Sequence, residues 1–327
     1  MASILRWGLL STARINRAVI PAIRGSARHE LRAVASRTPA TAEEYAREWN
    51  IPRHYGSYSE LIADPGVDAI YIPLPNALHA EWTIKACQAG KHVLCEKPLA
   101  LTAAEADAIA AAAGRAGVLV MEAFMYRHHP QTLQLKALVD GGAIGRLALV
   151  RGAFTFALSR PGDVRLVATL GGGSLWDVGC YPVSMSRFLA GREPRVVAGV
   201  QRLHASGIDE AFYGSLDFGD VHAQFDCGFC APFRTHLEVV GTTGAIAVSA
   251  PFKPGLEETM VVTRDGETET VPVTGEPLYS GQIENFADAV LLGRPPRIPL
   301  SDSRANVAAI TALYEAARSG RPVTLSS

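Results

Sequence analysis

The sequence predicts two domains: a doubly wound α/β domain over residues 1–123 and an α+β domain with a largely antiparallel sheet over residues 124–327. Three observations carry this reading. At about 150 residues per domain, a chain of 327 residues has room for two hydrophobic cores. Up to about residue 123, short apolar runs alternate with stretches of helical spacing, which implies right-handed βαβ units and a parallel sheet covered on both faces. Beyond it, strand-like segments follow one another before two closing helices.

In the first domain, Ile4 to Leu10 is an apolar run that ends in a Ser/Thr/Ala turn. Ala13 to Ile23 then has helical spacing, with Pro21 marking a kink or an early stop. Leu31 to Ser36 is a second short strand. Thr38 followed by Pro39 reads as a helix start, a cap and then proline at the first position. Ser57 with Glu60, and Thr102 with Glu105, form capping boxes. Val67 to Ile72, His92 to Cys95 and Val118 to Met121 read as strands, and Asn76 as the cap of a helix ending near Gly90.

In the second domain, Pro130 to Val139 is a helix stopped by Gly141-Gly142, and Leu147 to Phe156 is a long strand. A Gly-rich turn, Gly171 to Gly173, leads into a helix from about Ser174 to Leu189. Strands follow at Val196 to Leu203, Phe212 to Phe218, His222 to Phe229, Thr235 to Val240, Thr259 to Thr263 and Thr268 to Val273, with a hairpin turn at Asp265-Gly266. Gln282 to Leu292 and Ser303 to Ser319 are the closing helices.

Composition excludes several function classes. Lys plus Arg is 31 against 32 for Asp plus Glu, so the net charge of -1 gives no footprint for nucleic acid or an anionic membrane. Arg6 interrupts the apolar run of Met1 to Leu10 and no small-residue cleavage site follows, so no signal peptide is expected. Glu105, Asp107 and Arg115 break the Ala-rich stretch from Ala103 to Val120, which rules it out as a membrane span. Five cysteines, an odd number, fit reduced thiols in a cytoplasm. Cys227 and Cys230 form a lone CxxC inside a strand segment and read as structural. No HxxxH or HxH spacing points to a metal, so none is expected, and His29, His54, His92, His204, His222 and His236 read as surface or core residues.

The first turn reads Gly8-Leu9-Leu10-Ser11-Thr12-Ala13, with Arg14 and Ile15 leading into the helix. It follows a strand and opens a helix, the context in which a helix N-terminus holds pyrophosphate. Gly8 and Ala13 fit the outer positions of the glycine-rich fingerprint. Ser11 stands where a close-approach glycine is usual, and its hydroxyl can donate to phosphate. The plain alternative is an ordinary strand turn.

At the end of the second strand, Ser36-Arg37-Thr38 replaces the acidic residue that would hold the ribose 2′-hydroxyl of NAD. Arg37 can pair with a 2′-phosphate, with Ser36 and Thr38 adding hydrogen bonds. NADP(H) is therefore expected, with NAD(H) second; the plain alternative is a solvated arginine. Pro73-Leu74-Pro75-Asn76-Ala77-Leu78-His79 falls at the carboxyl end of a strand, where doubly wound sheets bind ligands. Pro73 and Pro75 fix its path, and Asn76 and His79 either lie along the cofactor or are a capping Asn and a surface His. Glu96-Lys97-Pro98 ends another strand on the same edge. Proline holds Lys97 out of the helical region, and its ammonium can polarise a substrate oxygen.

Gly8 to Ala13, Pro75-Asn76-x-x-His79, Glu96-Lys97-Pro98, Glu122-Ala123-Phe124-Met125-Tyr126-Arg127 and the run from Gly171 through Asp177 to Tyr181 occur in this order. The set resembles the Gfo/Idh/MocA family, the glucose–fructose oxidoreductase and inositol dehydrogenase group, from Leu5 to about Leu313. Ser36-Arg37, the EAFMYR stretch and Asp177-x-Gly179-x-Tyr181 are similar to its NADP-linked D-xylose dehydrogenases and dimeric dihydrodiol dehydrogenases. The resemblance implies a Rossmann domain and then a domain whose large, mostly antiparallel open sheet commonly forms the dimer interface, hence a homodimer or homotetramer. It implies that Glu96 and Lys97 sit near the nicotinamide, that Tyr181 is the acid/base, and that Asp177 stands one helical turn earlier. An i, i+4 spacing puts Asp177 and Tyr181 on one helix face. Arg127 is expected toward the cofactor, and Arg165 and Tyr279 toward a small-molecule substrate. Ser11, His128 (in place of an aromatic residue) and Val167 (in place of an acidic one) depart from the pattern, and the last two leave the substrate open.

The expected function is hydride transfer between a nicotinamide and a hydroxyl-bearing carbon of a sugar, polyol or cyclic diol. Two rivals stand beside it: a redox-neutral hydrolase or lyase that keeps its dinucleotide bound, and a non-catalytic NADP-binding sensor. The sensor needs no proton-transfer pair, and Lys97 with Tyr181 argues against it.

Overall fold

The computed structural model describes residues 4–160 and 162–325. Met1 to Ser3, the start of the apolar run weighed above as a signal peptide, lie outside the described residues. The N-terminal elements are β1 (Leu5–Leu10), α1 (Asn16–Arg24), β2 (His29–Ala35), α2 (Pro39–Glu48), β3 (Arg53–Tyr55), α3 (Tyr58–Ala63), β4 (Ala69–Ile72), α4 (His79–Gln88), β5 (His92–Glu96), α5 (Ala103–Ala116) and β6 (Val120–Ala123). Both capping boxes form at the predicted places, Ser57 with Glu60 and Thr102 with Glu105.

Three local expectations change. The first helix begins at Asn16, three residues after Ala13, and continues through Pro21 to Arg24. Proline there costs the helix one main-chain donor without ending it. Asn76 does not cap α4: it opens a 3-10 turn, Asn76–Leu78, so the cap position falls to Leu78, which offers no side-chain oxygen.

The chain continues with α6 (Pro130–Asp140), β7 (Leu147–Thr155), α7 (Cys180–Ala190), seven strands, two helices and a last short strand. The strands are β8 (Val196–Leu203), β9 (Asp209–Asp217), β10 (His222–Gly228), β11 (Arg234–Gly241), β12 (Gly244–Val248), β13 (Glu257–Arg264) and β14 (Glu267–Thr274). Then come α8 (Ser280–Leu292), α9 (Leu300–Ser319) and β15 (Val323–Thr324). Asp265 and Gly266 both have positive φ, 54° and 84°, as a tight hairpin turn between β13 and β14 requires. The helix expected from Ser174 is continuous with α7, but Leu175–Gly179 is wound as a π turn.

The chain divides into two compact units. The first holds the residues up to Met125 together with Tyr279–Arg304; the second holds Tyr126–Leu278 and the chain from Ala305 on. The division thus differs from one made along the sequence at 123/124, because α8 returns to the first unit.

The first unit carries a parallel sheet in the order β3-β2-β1-β4-β5-β6, with its reversal of direction between β1 and β4. This is the doubly wound order whose ligands bind outside the carboxyl ends of the strands at that reversal. Strands buried on both faces read as continuous apolar runs, and Leu9, Ile70, Ile72, Val93 and Leu94 are fully buried. Helices α4 and α5 pack side by side, while α8 lies beside α1. On α8, Phe286 meets the Trp7 ring at 5.1 Å, and Glu284 and Asp288 each accept from Arg28 at 2.7 Å.

The second unit is built on a nine-stranded sheet, β14-β13-β12-β11-β7-β10-β9-β8-β15, antiparallel except where β7 and β10 run parallel. Val150, Phe154, Ala223, Phe225 and Cys227 face inward. Gly152 lets α7 close on this face: a Cβ there would lie 2.9 Å from Pro182. On the opposite face Val200 and Tyr213 are register partners, 68% and 52% exposed. All five cysteines are free thiols, Cys227 buried and Cys230 exposed. Among the described residues no helix is long and apolar enough to cross a membrane, and no cluster of His, Cys, Asp and Glu is arranged to hold a metal ion.

Candidate active site

In the first unit, the turn between β1 and α1 is drawn tight around Ser11. Its φ of 148° lies where glycine is favoured. Asn16 Nδ2 donates to Ser11 O at 2.7 Å, and Ser11 Oγ accepts from Ala13 N at 3.2 Å. Thr12, Ala13 and Ile15 are half-buried and Arg14 is exposed. Helix α1 has neither a side-chain cap nor an acidic residue in its first turn, and its first main-chain N–H groups, of Asn16, Arg17 and Ala18, donate to the carbonyls of Ala13, Arg14 and Ile15. Gly8 serves packing: a Cβ would come within 3.0–3.2 Å of Leu61, Val67 and Ile70.

At the end of β2, Ser36 is buried and Arg37 exposed, with its charge close enough to act on the half-buried Tyr58 phenol. Thr38 caps α2, accepting from Thr41 N at 3.4 Å and donating to Thr41 Oγ1 at 2.8 Å. A solvent-facing guanidinium beside two small hydroxyls fits a 2′-phosphate.

The segment carrying Lys97 is pinned on both sides. The Lys97–Pro98 peptide is cis. Glu122, fully buried, accepts from Leu99 N at 2.8 Å. His79 Nδ1 lies 2.7 Å from Pro98 O, and Nε2 lies 2.8 Å from Leu74 O. His79 is fully buried with both ring nitrogens against main-chain oxygens, so it fastens the Pro73–Pro75 turn to the Lys97 turn and does not lie along a cofactor groove as expected. Burial, foremost, and then the Lys97 charge hold its imidazole below the ordinary pKa. Pro73 is buried, while Pro75, Asn76 and Lys97 are half-buried at the carboxyl edge. Beside them Tyr71 Oη donates to Glu96 Oε1 at 2.5 Å. Tyr279 stands at the cap of α8, its phenol pushed well up by burial and by the Glu96 charge.

In the second unit, Tyr181 is the second residue of α7 and is 5% exposed. Its ring lies 5.2 Å from that of Phe154 and 5.6 Å from those of Tyr126 and Phe252. Asp177, in the π turn one winding earlier, accepts from Arg165 Nε at 2.6 Å. Arg165 also reaches Asp163 at 3.2 Å, and the Asp177 carboxylate, foremost, raises its pKa. π turns recur at functional sites. Arg127, 4% exposed, stacks over the Phe188 ring at 4.0 Å and donates to Ser184 at 3.2 Å. His128, also buried, belongs to the core of this unit. Sequence reasoning missed Asn16 and Tyr71 and gave Glu122 no role of its own: the contacts to Ser11 O, Glu96 and Leu99 N are with groups distant in sequence or masked by a turn.

Residues 5–124 match the oxidoreductase family with an NAD-binding Rossmann fold, and residues 132–247 match the GFO/IDH/MocA C-terminal domain. The chain belongs to the Gfo/Idh/MocA family of oxidoreductases. Within it, the chain is 38% identical to a D-xylose 1-dehydrogenase (NADP(+)) of Haloferax volcanii, over 98% of this chain and 100% of the relative. It is 33% identical to a trans-1,2-dihydrobenzene-1,2-diol dehydrogenase of Xenopus laevis, over 91% and 93% of the two chains. A 3-ketoreductase from Actinomadura kijaniata, solved with NADP and TDP-benzene, superposes with a TM-score of 0.91 at 31% identity, covering 96% of this chain and 98% of its own. Gfo/Idh/MocA architecture accounts for both sheets, the parallel one with its switch point and the larger, mostly antiparallel one.

Proposed function

We propose that this oxidoreductase uses NADP(H) in preference to NAD(H) and interconverts a hydroxyl and a carbonyl on a sugar, polyol or cyclic diol. What supports the reading is Lys97 on a turn pinned at Pro98 and Leu99 in the first unit and, in the second, Tyr181 on the helix that also bears Asp177. When bound, the nicotinamide supplies the hydride acceptor or donor. The β1–α1 turn, with Ser11, Thr12, Ala13, Arg14 and Ile15, holds the pyrophosphate, and Gly8 in β1 lets α3 and β4 pack behind it. Arg37, flanked by Ser36 and Thr38, pairs with the 2′-phosphate. Pro73, Pro75, Asn76 and Glu96 line the carboxyl edge, and Arg127 is assigned to the cofactor side on family likeness alone.

In oxidation, Tyr181 takes the hydroxyl proton through its phenolate, and in reduction its phenol returns it. The Lys97 ammonium polarises the substrate oxygen. Asp177, held by Arg165, orients the substrate, and Tyr279 bounds it. General acid–base assistance of this kind is worth about 10²–10⁴-fold.

The named relatives are a D-xylose 1-dehydrogenase, a trans-dihydrodiol dehydrogenase and a 3-ketoreductase, and they support a polyhydroxylated or cyclic substrate. We assign the protein to the cytoplasm as a homodimer or homotetramer. The free thiols support the first, and the exposed Val200 and Tyr213 on the open sheet face support the second.

The test is NADPH absorbance with NADP+ or NAD+ and a panel of aldoses, polyols, inositols and trans-dihydrodiols. Reduction of NADP+ by one class is expected. Silence in both directions would replace this reading with the redox-neutral or sensor alternatives.

A further inference from the structure

One buried carboxylate in the second unit serves no role assigned so far. Asp209, at the start of β9, is 2% exposed. Its Oδ2 accepts from Ser174 Oγ and from Leu175 N, each at 2.7 Å. Its Oδ1 accepts from Tyr314 Oη at 2.6 Å. Tyr314 belongs to α9, and its ring lies 5.7 Å from the Trp176 ring. A carboxylate taken out of water is costly unless its oxygens are satisfied, and here two of the three donors come from the first residues of the helix that bears Asp177 and Tyr181.

The glycine before that helix is shaped to this carboxylate. Gly173 has a φ of 125°, and a Cβ on it would lie 2.2 Å from Asp209 Oδ1 and 2.8 Å from Tyr314 Oη. Its carbonyl accepts from Asp177 N at 3.1 Å. Asp209 thus holds Ser174 and Leu175, and the adjoining Gly173 carbonyl holds Asp177 N. Anions at a helix N-terminus also gain from the macrodipole. The π turn that follows sets the angular offset between Asp177 and Tyr181. A fixed start to that turn therefore fixes where both side chains point.

We infer that Asp209 is a positioning residue for Tyr181: with Tyr314 it anchors the N-terminal turn of the Tyr181 helix in the geometry that proton transfer needs. The inference rests on Tyr181 being the acid/base. It is tested on the full-length protein by Asp209→Asn and Tyr314→Phe, each made in the parent and in a Tyr181→Phe background. The readouts are kcat, the KM for NADP(H) and NADPH binding.

Losing a bond to a charged group is expected to lower kcat by about 10–100-fold in the parent, with the KM for NADP(H) changed by less than about 2-fold. Residues that act as a unit are non-additive, so in the Tyr181→Phe background the further loss should shrink to less than about 3-fold. Tyr314→Phe leaves the carboxylate and both helix donors in place, and it decides the matter if Asp209→Asn does not fold. Parental kcat in the folded variants, or the same fold-loss in both backgrounds, overturns the inference. Undiminished turnover in Tyr181→Phe alone would instead remove the acid/base reading beneath it.

Discussion

Arg165 donates through Nε to the Asp177 carboxylate at 2.6 Å, and Asp177 stands one winding before Tyr181 on the same helix. The guanidinium is 40% exposed and the carboxylate 13%, so Asp177 is shielded from water and Arg165 stands against its charge. Charge-assisted hydrogen bonds are the strong ones. Arg165→Ala should therefore raise the KM for substrate and lower kcat/KM by about 10–100-fold, given roughly 1.5–3 kcal/mol for such a bond. The KM for NADP(H) should stay as it was. Steady-state kinetics with each ligand varied in turn checks this, and an equal rise in both KM values would contradict it.

Cofactor choice should follow Arg37. Arg37→Ala removes the cation assigned to the 2′-phosphate and leaves the Thr38 cap of α2 intact. We expect kcat/KM for NADP+ to fall by about 10–100-fold, with kcat/KM for NAD+ changed by less than about 3-fold. An equal fall for both cofactors would show that Arg37 does not read the phosphate.

The Ser11 main chain is strained at a φ of 148°. A non-glycine residue held in such a region costs about 1–3 kcal/mol, of which roughly 0.5–1 kcal/mol is offset by the greater unfolded-state entropy of glycine. Ser11→Gly should raise the Tm of the transition that melts the first unit by about 2–4 °C. A lower Tm by calorimetry would mean that the Ser11 hydroxyl, which accepts from Ala13 N, stabilises the turn by more than the strain costs.

Stability should decline on mild acidification. Burial, the first cause in each case, lowers the pKa of His29, His79, His92 and His129. A base whose folded pKa is depressed leaves the unfolded state binding more protons between the two values, so stability rises with pH across that window. The loss therefore begins as pH falls below about 6.5, the ordinary imidazole value. The depressed carboxylates, such as Asp64 and Asp68, give way only at lower pH. Melting curves between pH 7.5 and 5.0 (roughly one unit above to one and a half below 6.5) should show a falling Tm. A His79→Gln variant should show a shallower fall, and a flat profile would contradict the assignment.

Much of this was legible in the sequence for physical reasons. Both capping boxes, the alternation of buried strands with helices, and the Asp265-Gly266 turn are local signals, and local signals survive folding. Short and weakly apolar strands were not legible. β3 has three residues and no buried side chain, and β12 is Gly-Ala-Ile-Ala-Val. Their strand state comes from the neighbours they pair with, not from their own pattern.

The same divide runs through the site. Lys97, Asp177 and Tyr181 sit in recognisable ordered motifs, but the groups that fix them are remote. Asp209 is 35 residues from Ser174 and 105 from Tyr314, and Glu122 is 23 from Leu99. His79 was misread for a related reason: nothing in its own segment announces that Pro98 O will lie against its ring.

The most direct test of the account is Tyr181→Phe, measured for turnover and NADPH affinity in one preparation. The ring keeps its packing against Phe154, Tyr126 and Phe252 and loses only the hydroxyl. The account predicts a fall in kcat of about 10²–10⁴-fold with NADPH binding unchanged. Turnover comparable to the parent would contradict it.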